Sequence, residues 1–260
     1  RMDTKGWYYE KGKYVVPELT KYGFDTKFNG IFTWGNSKIG KSVACLSITP
    51  GPPSIGGSCL NCEDCWINVT RLHDLIVEER RTGRKACYIE KAVLNPKTKS
   101  VVAHMYKRNS VLFHNMPETA IGICIDQISR KKSVDGIRWH VSGDFDTVEY
   151  IECAKKVAKA FPELPFWSYT KCYHLDSNPE LVRALNELDS LDNFNVVDSC
   201  PEGYTRNFFP EEEINDVRIA LTSTTHKACA ICPCRPGKKV KCGTECTICQ
   251  GVRYCIFVQH

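Results

Sequence analysis

The residues best suited to chemistry are Cys59, Cys62 and Cys65, in C-x2-C-x2-C spacing directly behind the flexible run at 50–57. A loop of this kind can fold its thiolates inward around one metal ion or one iron–sulfur cluster. A closed structural site uses four ligands, whereas three leave a coordination position open for substrate or cofactor. The same three cysteines would also serve as legs of a zinc site completed from elsewhere. The tail holds a second concentration: Cys229-x2-Cys232-x-Cys234-x7-Cys242-x3-Cys246-x2-Cys249. Cys242, Cys246 and Cys249 with Cys232 or Cys234 make four thiolates, a full set for a zinc ribbon or a closed [4Fe–4S] cluster. The spacing points to metal in the tail and leaves zinc and cluster both open. Counting Cys255, ten of the sixteen cysteines fall in these two stretches. The other six (Cys45, Cys87, Cys124, Cys153, Cys172 and Cys200) stand among apolar neighbours and read as small core residues.

A different chemistry is spelled by Gly35-Asn36-Ser37-Lys38-Ile39-Gly40-Lys41-Ser42, which matches the phosphate-loop pattern G-x4-G-K-S. A phosphate loop must open a helix whose first amides face the phosphates. Residues 43–49 instead alternate and are β-rich, and Pro50-Gly51-Pro52-Pro53 stops them. The segment is read as a hairpin or turn entering a strand, and an ATPase is the weakest of the functional readings.

The elements that must position these residues follow from periodicity. The strand at 42–49 delivers the chain to the Cys59 loop, and 68–84 reads as a helix ended by Gly83. Residues 88–117 are mixed, and Pro117 precedes a helix at 118–128. Residues 136–141 form a strand, and Asp146-Thr147-Val148-Glu149 reads as a capping box with Asp146 as the N-cap. The helix that follows ends at Pro162 and Pro165. A strand at 166–170, a helix capped by Asp176 or Ser177, and a strand at 194–197 complete the run. Strands recurring about every 28 residues with helices between them predict parallel βαβ units. The expected fold is therefore α/β, a partial (β/α) barrel of parallel strands plus a small C-terminal cysteine-rich metal- or cluster-binding unit. Its parts are an arm at 1–30, the barrel at 31–225 and the cysteine-rich unit at 226–260. Ser142, Asp144, Thr170, Lys171, Asp198 and Ser199 then emerge with the Cys59 loop on one C-terminal rim.

The bulk properties set outer limits. The 260 residues are 42% hydrophobic and 25% charged, ordinary for a globular protein. No apolar run approaches the ~20 residues of a membrane span. Residues 1–6 lack a signal-peptide pattern, so a cytoplasmic protein without disulfides is expected. The net charge of +5 comes with short basic clusters at 80–85, 130–132 and 238–241. They admit nucleic acid as a partner, although solvated surface is the simpler account.

Asn36–Lys41, the Cys59 loop, His140-Val141-Ser142-Gly143-Asp144-Phe145, Phe166-Trp167-Ser168-Tyr169-Thr170-Lys171 and the final cysteines together resemble the phage gene product eighty-eight family. More distantly the arrangement is similar to radical S-adenosylmethionine (SAM) enzymes. That resemblance implies a [4Fe–4S] cluster on Cys59, Cys62 and Cys65 whose open iron chelates SAM, with an external electron donor and an unknown substrate. It implies that Ser142, Gly143 and Asp144 face the SAM amino group, that Thr170 and Lys171 hold a carboxylate or substrate anion, and that Trp66 stands beside the cluster. In that case the tail, with Cys232, Cys234, Cys242, Cys246 and Cys249, carries a second cluster or zinc. Asp144 equally suits a loop acid capping the next helix, Lys171 a solvated strand end, and His140 a satisfied interior histidine. The alternative to such an enzyme is a zinc-binding, non-enzymatic phage-type protein that binds nucleic acid or a host partner.

Overall fold

The computed structural model describes residues 6–35, 39–51, 53, 56–60, 99–199, 208–209, 229–233, 240–252 and 254–258. The chain opens with β1 (Tyr8–Glu10), β2 (Lys13–Val15) and β3 (Lys27–Phe28), a small antiparallel sheet with a 3-10 turn at Pro17–Tyr22. The sequence had offered no period here. The segment is fixed by tertiary bonds: the Gln127 side chain accepts the amides of Ile31 and Phe32 at 2.9 and 3.0 Å and donates to the Phe32 carbonyl at 2.8 Å. Tyr14 donates to Asp126 at 2.8 Å. Trp7, Tyr14, Leu19 and Phe28 join the main core, so the arm packs on the body.

Next, β4 (Thr33–Trp34) pairs antiparallel with β5 (Val43–Ser47), confirming a hairpin where the phosphate-loop pattern lies. After it come α1 (Lys99–Asn115), α2 (Pro117–Ser129), β6 (Gly136–Ser142), α3 (Val148–Lys159), β7 (Phe166–Thr170), α4 (Pro179–Asp189) and β8 (Phe194–Asp198). The chain ends with β9 (Phe208–Phe209), β10 (Cys229–Ile231) and β11 (Tyr254–Val258). The strands form one sheet in the order β10-β11-β8-β7-β6-β5-β4, with β9 beside β11. Within this larger sheet every described pairing except β4–β5 is parallel. This is the expected α/β architecture, consistent with a partial barrel. The helix expected at 68–84 lies outside the described residues.

Three local expectations are corrected. The N-cap of α3 is Thr147, whose hydroxyl accepts the Tyr150 amide at 3.2 Å, while Asp146 pairs with His114 instead. The N-cap of α4 is Asn178, immediately before Pro179, rather than Asp176 or Ser177. Finally, residues 99–115, read as mixed, form α1. Its polar interior positions obscure the helical period. Buried Asn109 uses its amide to bond the carbonyls of Ile31 and Ser47 at 3.1 and 3.0 Å.

The sheet is covered on both faces, as parallel strands require. On one face Ile137, Trp139, Phe166, Phe194 and Val196 pack under the helices. On the other, Val43, Cys45 and Trp167 form a smaller cluster against Cys242 and Cys249. The cysteine-rich tail therefore contributes β10 and β11 to the main sheet and packs on the face opposite α1–α4. The register between β5 and β6 shifts between Cys45↔Arg138 and Ser47↔Ser142. This bulge breaks the alternation of β6 and re-aims the residues at its C-terminal end.

Candidate functional site

The C-terminal edge of β5, β6 and β7 is where the expected rim residues meet. Leaving β5, the chain turns at Thr49, whose carbonyl accepts both the amide and the hydroxyl of Ser58, at 3.0 and 2.9 Å. The Cys59 amide donates to the Gly51 carbonyl at 2.8 Å, and the Gly51 amide donates to Cys59 Sγ at 3.4 Å. Cys62, Cys65 and Trp66 lie outside the described residues.

The end of β6 meets this loop directly. The Asp144 amide donates to Ser58 Oγ at 3.0 Å, and the Ser142 hydroxyl donates to the Ile48 carbonyl at 3.2 Å. Gly143 adopts φ +85°, and a Cβ there would stand 2.4 Å from Ile48 Cγ1 and 2.7 Å from Ser58 Oγ. Only glycine fits both constraints. The Asp144 carboxylate is buried and already engaged, accepting the Phe145 amide at 2.7 Å and the Lys171 amide at 2.9 Å. Burial pushes its pKa up to about 6 against the pull of those amides. It caps no helix; it ties the end of β6 to the end of β7. Thr170 is buried too, its hydroxyl accepting the Cys172 amide at 3.0 Å and its carbonyl the Ser199 amide at 2.7 Å.

His140 is an interior histidine. Its Nδ1 lies 2.9 Å from Ser168 Oγ and its Nε2 2.9 Å from the Tyr150 hydroxyl. Burial, with help from Arg138, drives its pKa down to about 3, so the ring is neutral. One histidine that sequence reasoning missed does face the rim. His114, in the last turn of α1, places Nδ1 2.7 Å from the Ser110 carbonyl and Nε2 2.8 Å from Asp146. Burial lowers its pKa, but the Asp146 carboxylate and the Ser110 carbonyl outweigh burial and the net shift is upward. With Ser58, Gly57 and Ser110 the pair lines an open pocket of about 210 Å³. The only signal in sequence was Asp146, absorbed by the capping box.

A second concentration of reactive groups lies on the sheet face opposite α1–α4. Cys232, Cys242, Cys246, Cys249 and Cys255 line one cavity with Trp167 and Tyr169 of β7, and the cavity holds about 20 Å³. The Tyr169 hydroxyl donates to Cys249 Sγ at 2.8 Å, and the Arg138 guanidinium lies 5.0 Å from the Tyr169 ring centre. Hydrogen bonds from Cys255 and Tyr169 hold the Cys249 pKa below the usual thiol value despite burial. Cys255 was not singled out in the sequence as a ligand, because its spacing from Cys249 breaks the C-x2-C rhythm. Cys234 lies outside the described residues. Among the described residues no group of three or more His, Cys, Asp or Glu side chains is arranged to hold a metal ion; Cys255 hydrogen-bonds with Cys232 and Cys249 instead.

Two further expectations concern surface groups. Lys41, the lysine of the phosphate-loop pattern, is exposed in a turn that leads into β5 and not into a helix. Of the basic cluster at 130–132, Arg130 is paired with Asp126 and Lys131 sits 4.6 Å over the Trp34 ring. Among the described residues no helix is long and apolar enough to cross a membrane.

No curated protein and no solved structure matches the chain. The family model for Gene product 88 matches residues 26–256, the arm's last strand through β11. The hairpin, the rim and the cysteine cavity all fall inside that match, and the chain belongs to the Gene product 88 (GP88) family of phage proteins.

Proposed function

We propose that the protein is a zinc-holding, non-enzymatic phage-type protein, with nucleic acid the partner its charge favours. Five cysteines around one cavity support this reading, which would require those thiols to rearrange, since among the described residues no group of three or more is arranged to hold an ion. The cavity, of about 20 Å³, has no room for a four-iron, four-sulfide cubane in the tail. Thiolate zinc sites supply folding energy directly, and a tail that covers a sheet face is a place where such energy counts. The net charge of +5, with Lys41, Lys132 and Lys241 exposed, supports a polyanionic partner.

A second reading, a radical-SAM-like enzyme, is favoured by a different observation. The hydrogen bond between the Asp144 amide and Ser58 sets the start of the three-cysteine loop against the Ser142-Gly143-Asp144 turn, at the strand edge where parallel α/β sheets bind ligands. There Cys59, Cys62 and Cys65 would hold a [4Fe–4S] cluster, and Ser142, Gly143, Thr170 and Lys171 would face SAM. Asp144 would position that edge, since its carboxylate is engaged by amides. The bound group would supply one-electron cleavage of SAM to begin radical chemistry.

Iron, acid-labile sulfide and zinc per chain on anaerobically purified protein separate the two. About one or two zincs without sulfide support the first reading; about four irons with four sulfides support the second, to be followed by SAM cleavage under dithionite. For the zinc protein, affinity for single- and double-stranded DNA that weakens with salt is expected. No binding at about 50 mM salt would turn the partner assignment toward a host protein.

A further inference from the structure

We infer that the N-terminal end of β5 and β6, with Trp34 and the lysines Lys41, Lys131, Lys132 and Lys241, is a surface that binds single-stranded nucleic acid. The inference deepens the nucleic-acid reading above and rests on it; it needs no metal.

Backbone bonds bring these residues to one corner of the sheet. Lys41 leaves the turn between β4 and β5. The Gly40 amide just before it donates to the Cys242 carbonyl at 3.1 Å, which sets Lys241 beside that turn. The Ser42 carbonyl just after it accepts the Asp135 amide at 2.9 Å. The connection from α2 to β6, which carries Lys131 and Lys132, therefore reaches the same end. Trp34 closes β4 opposite Ala44, and Lys131 Nζ lies 4.6 Å from the centre of its ring. Ser142 and Thr170 end their strands at the opposite edge, so this surface is separate from the rim.

The charge of the corner suits phosphates. All four lysines are exposed. Among the described residues none of them is ion-paired, whereas Lys155 of α3 is held by Glu152 and Glu187, and Lys156 by Glu118. The acids that follow them in these segments are Asp135 and Glu245, and the Glu245 carboxylate is engaged by the Lys241 amide at 3.0 Å. In sequence Lys38 precedes the first lysine, and Lys238 and Lys239 the last; these three lie outside the described residues.

Trp34 makes the surface more than a patch of charge. The ring is half-buried, packs against the main core and carries a lysine on its face. β4 is the last strand on its side of the sheet. A base can stack on the ring face that Lys131 covers, while the ammonium passes to a neighbouring phosphate. A single strand offers its bases for such stacking, and a duplex keeps them inside.

The test measures fluorescence anisotropy of labelled oligo(dT), oligo(U) and a duplex of equal length with the full chain. The parent should bind both single strands more tightly than the duplex. Lys41→Gln with Lys241→Gln should weaken binding about fiftyfold at about 50 mM salt and flatten the slope of log K against log salt by about 1.4. Lys107→Gln with Lys159→Gln, on α1 and α3, removes the same charge elsewhere and should leave the slope unchanged. Trp34→Ala should bind about tenfold more weakly at an unaltered slope, and Trp34→Phe should recover most of the loss. Circular dichroism confirms that each variant is folded. A parent that binds none of the three at about 50 mM salt would overturn the nucleic-acid reading and this inference with it. A parent that binds, with the Lys41 and Lys241 pair no more important than the Lys107 and Lys159 pair, would overturn only this surface. Equal affinity for duplex, with Trp34→Ala like the parent, would overturn the single-strand assignment.

Discussion

Asp144 Oδ2 accepts the Lys171 amide at 2.9 Å while Oδ1 accepts the Phe145 amide at 2.7 Å, so one buried carboxylate joins the C-terminal ends of β6 and β7. Asp144→Ala strands two buried donors and should cost about 2–4 kcal/mol. The pH dependence has a definite sign. The folded pKa is raised to about 6, against an unfolded value of about 3.9. Between these values the folded state keeps a proton that the unfolded state has released. Stability from this group therefore falls as pH climbs from about 4 to about 6, by up to about 1.4 kcal/mol per unit. Urea midpoints of the parent and Asp144→Asn should converge over that window. A constant gap would show that the carboxylate is ionised throughout.

His140 titrates in the opposite direction. Its folded pKa is about 3, against about 6.5 unfolded. Here the unfolded state binds the extra proton, so stability is lost as pH falls below about 6.5. His140→Gln should cost about 1–3 kcal/mol at neutral pH by disturbing the bonds to Ser168 and Tyr150. It should also flatten the loss on acidification. Denaturation midpoints at pH 7 and pH 4.5 check this, the expected outcome being a smaller drop in the variant.

Gly143 tests the docking of the cysteine loop. Gly143→Ala meets a positive φ and atoms of Ile48 and Ser58 closer than 3 Å, and should cost about 2–5 kcal/mol. Gly12→Ala, with a similar φ of +81° and nothing within 4 Å, should cost only about 1–2 kcal/mol. Peptide mapping after brief iodoacetamide treatment should find Cys59 alkylated faster in Gly143→Ala. Equal rates would mean that the loop does not depend on this turn.

Asp146 raises the pKa of His114. Asp146→Asn should lower the His114 pKa, read by the ring resonances in an NMR titration, since it removes the carboxylate at 2.8 Å. The raised folded pKa stabilises the parent below the unfolded value, and this contribution is lost as pH rises through the folded one. Asp146→Asn should remove about 1 kcal/mol at pH 6 and little at pH 9.

The sequence by itself determined the parallel core. The strands of β6, β7 and β8 alternate with amphipathic helices, and the hairpin over the phosphate-loop letters followed from β-rich residues running into prolines, because both signals are local. It also singled out the two cysteine concentrations, since spacing survives without coordinates. Tertiary structure alone decided the rest. The arm and α1 carry weak periods and are held by side chains nearly a hundred residues away, as in the bonds from Gln127 to Ile31 and Phe32. Asp144 became a tie between strand ends because β6 and β7 lie side by side and bring the Lys171 amide to its carboxylate, which no spacing reveals. Cys255 reached the other thiols only because β11 lies beside β10 and β8 in the sheet. Parallel pairing brings together residues far apart in the chain, and that closeness is written in the fold, not in any local run of letters.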